Sequence, residues 1–200
     1  MESEEPYNEA LQFKKSLALH CCFYRLICGR SFRLNSFFTK KWFHAIMAAM
    51  KIYLDNCCYN RPYDNQNYLP ISLETQAKLL VQSLIKAKQL ELASSFILDY
   101  ENACNPYMNR KVAVKSFLDD NVSDYIGSDK SEEVFSRAEK IMGTGVKMKD
   151  SCHIACAEMM NCDYLLSTDK RMLKYKSDIL KLLSPIEFID LLNGENENDE

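Results

Sequence analysis

Glycine is scarce in this chain, with five residues among 200. The sequence contains neither a G-x-G-x-x-G motif nor a P-loop, so no glycine-rich backbone cradle for a nucleotide is expected. No apolar run reaches the roughly 18 residues that a bilayer-spanning helix needs. No internal repeat occurs at the periods typical of solenoids. These absences argue against the common nucleotide-binding motifs and predict no membrane partner.

Cysteine and histidine exclude further classes of site. The nine cysteines are an odd number and none are spaced as C-x-x-C, which argues against a disulfide framework and a structural zinc site. Reduced thiols in a cytoplasmic protein fit this pattern best. The chain has three histidines and no obvious Ser-His-Asp order, so a nucleophilic serine site is not indicated.

Composition and charge predict one folded domain. Apolar residues make up 47% of the chain and aromatic residues 11%, which is enough for a substantial core. The net charge is −3, and it is unevenly spread: residues 10–50 carry bases and no acid, whereas the rest of the chain is acidic. A nucleic-acid-binding domain is normally basic. A metal-dependent nuclease can be acidic, because its own site carboxylates remain unbalanced until metal binds.

The chain divides into three predicted regions. Residues 1–49 show no clean helical or strand period, and we interpret them as an N-terminal extension that is poorly ordered or not native. Their acidic start does not fit a secretory signal, and a partner-binding or membrane-surface helix within 11–49 is the alternative. Residues 50–192 are predicted to be the folded domain, and residues 193–200 an acidic, disordered tail.

Short apolar runs alternate with helical patterns from residue 51 onward. Strands are predicted at 52–54, 91–95, 122–126 and 164–166, with a last strand before Pro185. Helices are predicted at 72–85 with Ser72 as N-cap, 96–104, 111–117, 131–142 with a capping box at Ser131, 149–160, 169–174 and 186–192. Residues 56–70 are predicted to be a loop. This alternation predicts an α/β fold in which a small parallel sheet carries helices on both faces.

Acidic residues occur where these strands end or helices begin. Asp55 ends the first strand, Asp169 closely follows a later strand, and Asp150 opens a helix. Each has an ordinary explanation as a turn residue or a first-turn acid favoured by the helix dipole. Together they predict a cluster, because ligands of parallel sheets bind at the carboxyl ends of the strands. Such an oxygen-lined, negatively charged pocket would need a divalent metal, which suggests phosphate chemistry.

Three segments resemble the PIN-domain ribonucleases, the fold of VapC-type toxins. The segments are Leu-Asp-Asn at 54–56, Asp-x-x-His-Ile-Ala-Cys-Ala at 150–157, and Cys-Asp-Tyr-Leu-Leu-Ser-Thr-Asp-Lys-Arg at 162–171. The first is short, and the other two are more specific. The resemblance covers about residues 51–190 and implies a PIN-like fold. It implies a metal-dependent endoribonuclease that cleaves single-stranded RNA, typically as the toxin of a type II toxin–antitoxin pair.

The resemblance also implies four acids around one or two Mg²⁺ or Mn²⁺ ions. By motif the first, third and fourth acids are Asp55, Asp150 and Asp169, and the second is expected as a glutamate on the helix after the second strand. Glu101 fits that place, and Glu74 is its rival. The metal would clamp the scissile phosphate and activate a water, so no nucleophilic side chain is required.

Several residues beside these acids are candidates for RNA contact. Asn56 matches the small polar residue that often follows the first acid. Arg61, Thr168, Lys170 and Arg171 lie next to the site loops, where the cations either hold the RNA backbone or are ordinary solvated charges.

Other residues near the acids have more ordinary interpretations. We expect His153 to be a packed helix histidine rather than a metal neighbour, Asp163 to be structural, and Cys57 and Cys58 to pack as small apolar side chains.

Two other functional classes remain open. A PIN-like domain that no longer cleaves could serve as an RNA-binding or regulatory interaction module. A phosphatase-like hydrolase would want Asp-x-Asp after the first strand, and Cys57 occupies that second position. As partners, the resemblance implies RNA, a protein antitoxin and a second copy of the chain.

Overall fold

The computed structural model describes residues 50–194. Within this range the chain forms one five-stranded parallel sheet and seven α-helices. The strands are β1 (Lys51–Leu54), β2 (Glu91–Ser95), β3 (Val122–Ile126), β4 (Tyr164–Leu166) and β5 (Lys181–Leu183). The helices are α1 (Asn56–Asn60), α2 (Leu69–Lys86), α3 (Phe96–Ala103), α4 (Met108–Asn121), α5 (Ser131–Met142), α6 (Met148–Met159) and α7 (Pro185–Gly194). The predicted extension at 1–49 lies outside the described residues, as does the predicted tail beyond Gly194.

The strand order is β3-β2-β1-β4-β5, and every neighbouring pair is parallel. The chain adds β2 and β3 on one side of β1 and then crosses to add β4 and β5 on the other. The order therefore reverses between β1 and β4, where the carboxyl ends of the strands leave a crevice.

Helices cover both faces of the sheet, because side chains alternate along each strand. In β1, Ile52 and Leu54 join a cluster with α2, α4 and α7, whereas Tyr53 points to the other face and packs with α5 and α6. All three side chains are at most 1% exposed. The predicted fold class is confirmed, and the arrangement is consistent with a small PIN-like α/β fold.

The structure corrects the predicted loop at 56–70. Residues Asn56–Asn60 form α1 and Arg61–Tyr63 form a 3₁₀ turn. Helix α2 begins at Leu69 rather than after Ser72, which is not its N-cap. Pro70 lies in the first turn of α2, where its missing N–H has no intrahelical partner to lose.

Two other local predictions were wrong. Ser131 does not cap α5, because Lys130 precedes the helix and makes no side-chain cap. The reciprocal capping box lies instead at α7: the Ser184 N–H donates to Glu187 Oε2 at 2.7 Å, and the Glu187 N–H donates to Ser184 Oγ at 3.2 Å. The helix predicted from Asp169 is reduced to a 3₁₀ turn at Met172–Lys174.

Within residues 50–194, no helix is both long enough and apolar enough to cross a membrane.

Candidate metal centre

The candidate site lies at the crevice between the carboxyl ends of β1 and β4. Asp55 directly follows β1, and its backbone N–H donates to the Leu166 carbonyl at 3.0 Å. Ser167 directly follows β4 and donates its hydroxyl to Asp55 Oδ2 at 2.8 Å. The reversal of strand order thus places the first predicted acid where parallel sheets bind ligands.

Three side chains converge at this point: Asp55, Glu101 from α3 and His153 from α6. Each offers one ligand atom, and the three atoms lie within 4.8 Å of one another. His153 Nε2 is 3.0 Å from Glu101 Oε2 and 3.7 Å from Asp55 Oδ1. Asp55 and His153 are buried, at 7% and 1% exposure. Within residues 50–194, this is the one group of such side chains close enough to hold a metal ion.

The donor atoms of this group suit a divalent metal. Carboxylate oxygens and imidazole nitrogen are common metal ligands, and buried acidic groups need a balancing charge. A metal-ligating histidine usually makes a hydrogen bond through its other ring nitrogen. His153 does so: Nδ1 lies 2.8 Å from the Tyr53 hydroxyl. The group could therefore hold a metal ion.

A buried chain of hydroxyls supports His153 from behind. The Tyr53 hydroxyl lies 2.7 Å from Ser95 Oγ, and Ser95 in turn accepts the Leu98 N–H as N-cap of α3. If Nδ1 donates its proton to Tyr53, the lone pair on Nε2 faces Glu101 and Asp55 and is available to a metal. If Tyr53 donates to Nδ1 instead, Nε2 carries the proton and donates to Glu101.

Asp55 is also held by the thiol of Cys57. Cys57 Sγ donates to Asp55 Oδ2 at 2.8 Å, lies 3.3 Å from Ser167 Oγ and accepts the Thr168 N–H at 3.1 Å. Cys57 packs against the core cluster as predicted, but its sulfur also contacts polar groups after β1 and β4, which the prediction did not include. Cys58 is buried in the core as predicted.

Asp150 lies beside the group without joining it. It occupies the first turn of α6, as predicted, three residues before His153. Burial raises the pKa of Asp150, and the nearby charges of Asp55 and Asp169 raise it further. The structure therefore brings three of the predicted acids into one electrostatic neighbourhood.

The carboxylate of Asp169 forms an ion pair with Arg171. Arg171 donates Nη2 to Asp169 Oδ2 at 2.8 Å, and its backbone N–H donates to Oδ1 at 2.8 Å. These hydrogen bonds from Arg171 lower the pKa of Asp169 to about 2. The charge of Asp169, the fourth predicted acid, is thus balanced by Arg171 of the same loop.

Glu101 and His153 stabilise each other's charged forms. Burial opposes the ionisation of Glu101, but the hydrogen bond and charge of His153, with the charge of Lys149, outweigh burial and lower its pKa. Burial likewise opposes the protonation of His153, yet the hydrogen bond to Glu101 and the charge of Asp55 raise its pKa. Lys149 Nζ lies 3.6 Å from Glu101 Oε1 and is largely exposed.

The structure separates the two glutamates proposed for the second acid. Glu101 belongs to the group around Asp55, whereas Glu74 Oε2 lies 2.9 Å from Arg61 Nε. Arg61 also forms an ion pair with Asp64 at 2.9 Å, so its guanidinium is paired with two acids of the protein.

The remaining predicted RNA contacts are spread around the crevice. Asn56 Oδ1 accepts a hydrogen bond from Asn60 within α1. Thr168 and Lys170 line a cavity of about 330 Å³ with Glu74, Lys174, Ser184 and Glu187. Thr168 Oγ1 is buried there without a hydrogen-bond partner among the described residues. Asp163, predicted to be structural, accepts the Lys51 N–H at 2.8 Å, at the amino ends of the strands.

Sequence reasoning did not identify three residues that form the candidate group or hold its side chains. His153 was expected only to pack, and Tyr53 and Ser167 were not proposed at all. The spacing of His153 three residues after Asp150 was the one available signal, since residues at i and i+3 share a helix face. Tyr53 gave no signal, because a tyrosine inside a strand is an ordinary core residue.

A scan against models of known protein families gives no match for this chain, and no curated protein matches its sequence.

Proposed function

We propose that this chain is a metal-dependent endoribonuclease that hydrolyses phosphodiester bonds of single-stranded RNA. The observation that carries the proposal is the convergence of Asp55, Glu101 and His153 at the carboxyl edge of the sheet. Asp150 and Asp169 flank this group, and parallel sheets bind their ligands at this edge. The resemblance of segments 150–157 and 162–171 to PIN-domain ribonucleases points to the same chemistry.

The ion we propose is Mn²⁺ or Mg²⁺. Carboxylates suit both ions, whereas imidazole is a softer ligand that Mg²⁺ rarely takes. Two carboxylates with one imidazole therefore favour Mn²⁺ over Mg²⁺ at this site. A divalent ion bound there lowers the pKa of a bound water and offsets charge on the phosphate.

The chain's own residues have defined tasks around the ion. Ser167 and Cys57 fix one oxygen of Asp55, and Tyr53 fixes the ring of His153, so the ligand atoms are held before the ion arrives. Lys149 and Lys170 are exposed beside the acids and can attract the RNA backbone. Asp150 adds negative charge next to the group, which strengthens the field that draws in a cation.

The resemblance to PIN-domain ribonucleases supports three further parts of the proposal. These are the role as the toxin of a type II pair, the protein antitoxin and the homodimer. A cytoplasmic location has a separate support: the six cysteines among residues 50–194 are all free thiols.

One observation favours a second candidate, a non-cleaving RNA-binding or regulatory module. Asp169 accepts from Arg171 through both carboxylate oxygens, and Glu101 is paired with His153 and Lys149. The acids of the site are thus balanced by the protein's own cations. A domain that had lost its metal would need this balance.

Cleavage of a labelled single-stranded RNA pool separates the two candidates. The full chain would be freed of any co-purifying protein and assayed with Mn²⁺, with Mg²⁺ and with a chelator. Asp150→Asn is the test variant. Asp178→Asn is its control, because Asp178 is an exposed acid shortly before β5, at the amino edge of the sheet. We expect cleavage by the wild type and the control, and none by Asp150→Asn or with chelator. A folded wild type that binds the RNA and cleaves with neither ion would favour the non-cleaving module.

A further inference from the structure

The guanidinium of one arginine lies over the rings of two exposed tyrosines. The guanidinium carbon of Arg110 lies 4.7 Å from the ring centre of Tyr63 and 4.1 Å from that of Tyr107. We propose that these three residues, the tyrosine–arginine platform, bind the unpaired bases of single-stranded RNA by stacking. The inference rests on the proposed function, since it names how the substrate of that same site is held.

The platform lies on the same edge of the sheet as the metal group. Tyr63 follows α1 in the connection that runs from β1 to α2, and Tyr107 follows α3 in the connection that runs from β2 to α4. Both connections start at the carboxyl ends of their strands. Asp55 directly follows β1, and Glu101 lies on α3, which follows β2. Asn105 Nδ2 donates to Asn60 Oδ1 at 3.1 Å and ties the two connections together. A strand of RNA lying over the platform can therefore reach the acids.

The rings of the platform remain accessible to a ligand. Tyr63 is 42% exposed and Tyr107 is 57% exposed, so each side chain presents surface to solvent alongside its contact with Arg110. Two more exposed tyrosines, Tyr68 and Tyr100, lie in the same two connections at 64% exposure each. Exposed aromatic faces concentrated at one edge are the usual means of holding unpaired bases, because every base has a face to stack.

The charge of Arg110 also remains available. Among residues 50–194, no carboxylate forms an ion pair with Arg110, whereas Arg61 in the same region contacts both Asp64 and Glu74. The guanidinium of Arg110 is held over two aromatic rings, and such a planar cation suits both stacking and contact with phosphate. An acidic chain needs such a fixed cation to hold a polyanion near its acids.

The test measures RNA binding without cleavage, on the full chain with a chelator present. The probe is a fluorescent single-stranded RNA 12-mer of mixed sequence, followed by anisotropy. Two competitors are matched to it: the same sequence as a duplex, and a 12-mer whose central bases are removed while its phosphates remain. The variants are Tyr63→Leu, Tyr107→Leu and Arg110→Gln. Phe135→Leu is the control, since Phe135 is an exposed ring of α5 outside both connections.

Stacking predicts a loss of about five- to one-hundred-fold in affinity for each Leu variant, with Phe135→Leu matching the wild type. The wild type should prefer the single strand to the duplex and to the base-depleted strand. Tyr107→Phe keeps the ring and should lie nearer the wild type than Tyr107→Leu. Thermal unfolding of each variant identifies a loss caused by misfolding.

The outcomes separate this inference from the proposed function. Folded Leu variants that bind like the wild type, in a protein that cleaves RNA, would overturn the platform and leave the nuclease proposal standing. Binding that depends on the platform, in a protein that fails to cleave RNA with either Mn²⁺ or Mg²⁺, would support the platform and count against the nuclease. Equal affinity for the intact and base-depleted strands would overturn the stacking.

Discussion

The Tyr53 hydroxyl lies 2.8 Å from Nδ1 of His153, although the two residues are 100 positions apart in the chain. The contact crosses from a central strand to a helix on its face and is fully buried. It sets the ring of His153 so that Nε2 faces Glu101 and Asp55. The geometry of the candidate metal group therefore depends on a residue outside that group.

Tyr53→Phe tests this dependence. Removing the hydroxyl frees the His153 ring to choose its tautomer, and outer partners of this kind are typically worth about 10- to 100-fold in metal affinity. We expect Mn²⁺ binding to weaken by that factor in calorimetric titration. The free energy of unfolding should fall by about 1–3 kcal/mol, because buried polar atoms lose a partner.

Tyr59→Phe is the matched control for that variant. Tyr59 is also buried, but it packs in the cluster on the opposite face of the sheet, and its hydroxyl has no hydrogen-bond partner among the described residues. We expect Tyr59→Phe to bind Mn²⁺ like the wild type and to unfold at an equal or higher temperature. Equal metal affinity in both variants would show that Tyr53 does not orient His153.

Glu101→Gln should weaken Mn²⁺ binding at least ten-fold, because it removes one of two charged ligands from the group around Asp55. Glu74→Gln is its control, since Glu74 is paired with Arg61 instead. Both variants keep the size of the side chain. Calorimetric titration that finds the larger loss in Glu74→Gln would identify Glu74 as the second acid and reject Glu101.

Arg171→Ala should strengthen divalent metal binding. Arg171 neutralises Asp169, and its removal leaves one more negative charge beside the group. We expect a few-fold gain in Mn²⁺ affinity at low salt, and a smaller gain as salt screens the exposed charge. Arg137→Ala is the control, because Arg137 pairs with Glu158 far along α6 from Asp150. No gain in Arg171→Ala would mean that Asp169 does not act on the ion.

Lys78→Met should stabilise the fold and change how stability depends on pH. Lys78 is 4% exposed, and its burial lowers its pKa to about 8. Between pH 8 and the ordinary lysine pKa of about 10.4, the unfolded chain holds a proton that the folded chain has lost. Wild-type stability from Lys78 therefore rises with pH across this window, by up to about 3 kcal/mol.

The methionine variant has no such proton and should lose that rise. At pH 7 its free energy of unfolding should exceed that of the wild type. The gain is reduced by the loss of the 2.8 Å hydrogen bond from Lys78 to Gln82. Urea unfolding of both proteins between pH 7 and 10.5 measures the difference. Parallel pH profiles would show that Lys78 keeps its proton in the folded state.

Local patterns predicted the strands well and the site only in part. The first four strands were placed correctly to within about a residue, and the fifth was predicted before Pro185 without bounds, because short apolar runs bounded by turn residues are a local signal. Asp55 and Asp150 were placed by the same local logic, as the end of a strand and the start of a helix. Glu101 required the resemblance, which implies a glutamate on the helix after the second strand, and Glu74 was its rival.

The parts that were missed depend on contacts between distant segments or on the choice between two local arrangements. The polar role of Cys57 comes from Ser167 and Thr168, more than 100 residues later. The neutralisation of Asp169 by Arg171 is local, yet the sequence alone does not say whether an arginine turns back on its neighbour or faces solvent. The helix predicted from Asp169 failed for the same reason: the carboxylate accepts the Arg171 N–H and holds a turn instead.

The position of β1 between β2 and β4 has a consequence for the timing of synthesis. Asp55 and the Ser167 that fixes it are separated by 112 residues. At typical ribosomal speeds, roughly 6 to 20 seconds pass between the addition of one and the other. During that interval β1 can pair with β2, and β2 with β3, but the other edge of β1 stays open and the crevice has no second wall. The nascent chain thus carries Asp55 and Glu101 before it carries an assembled site, and any activity begins only once the last third of the protein has emerged.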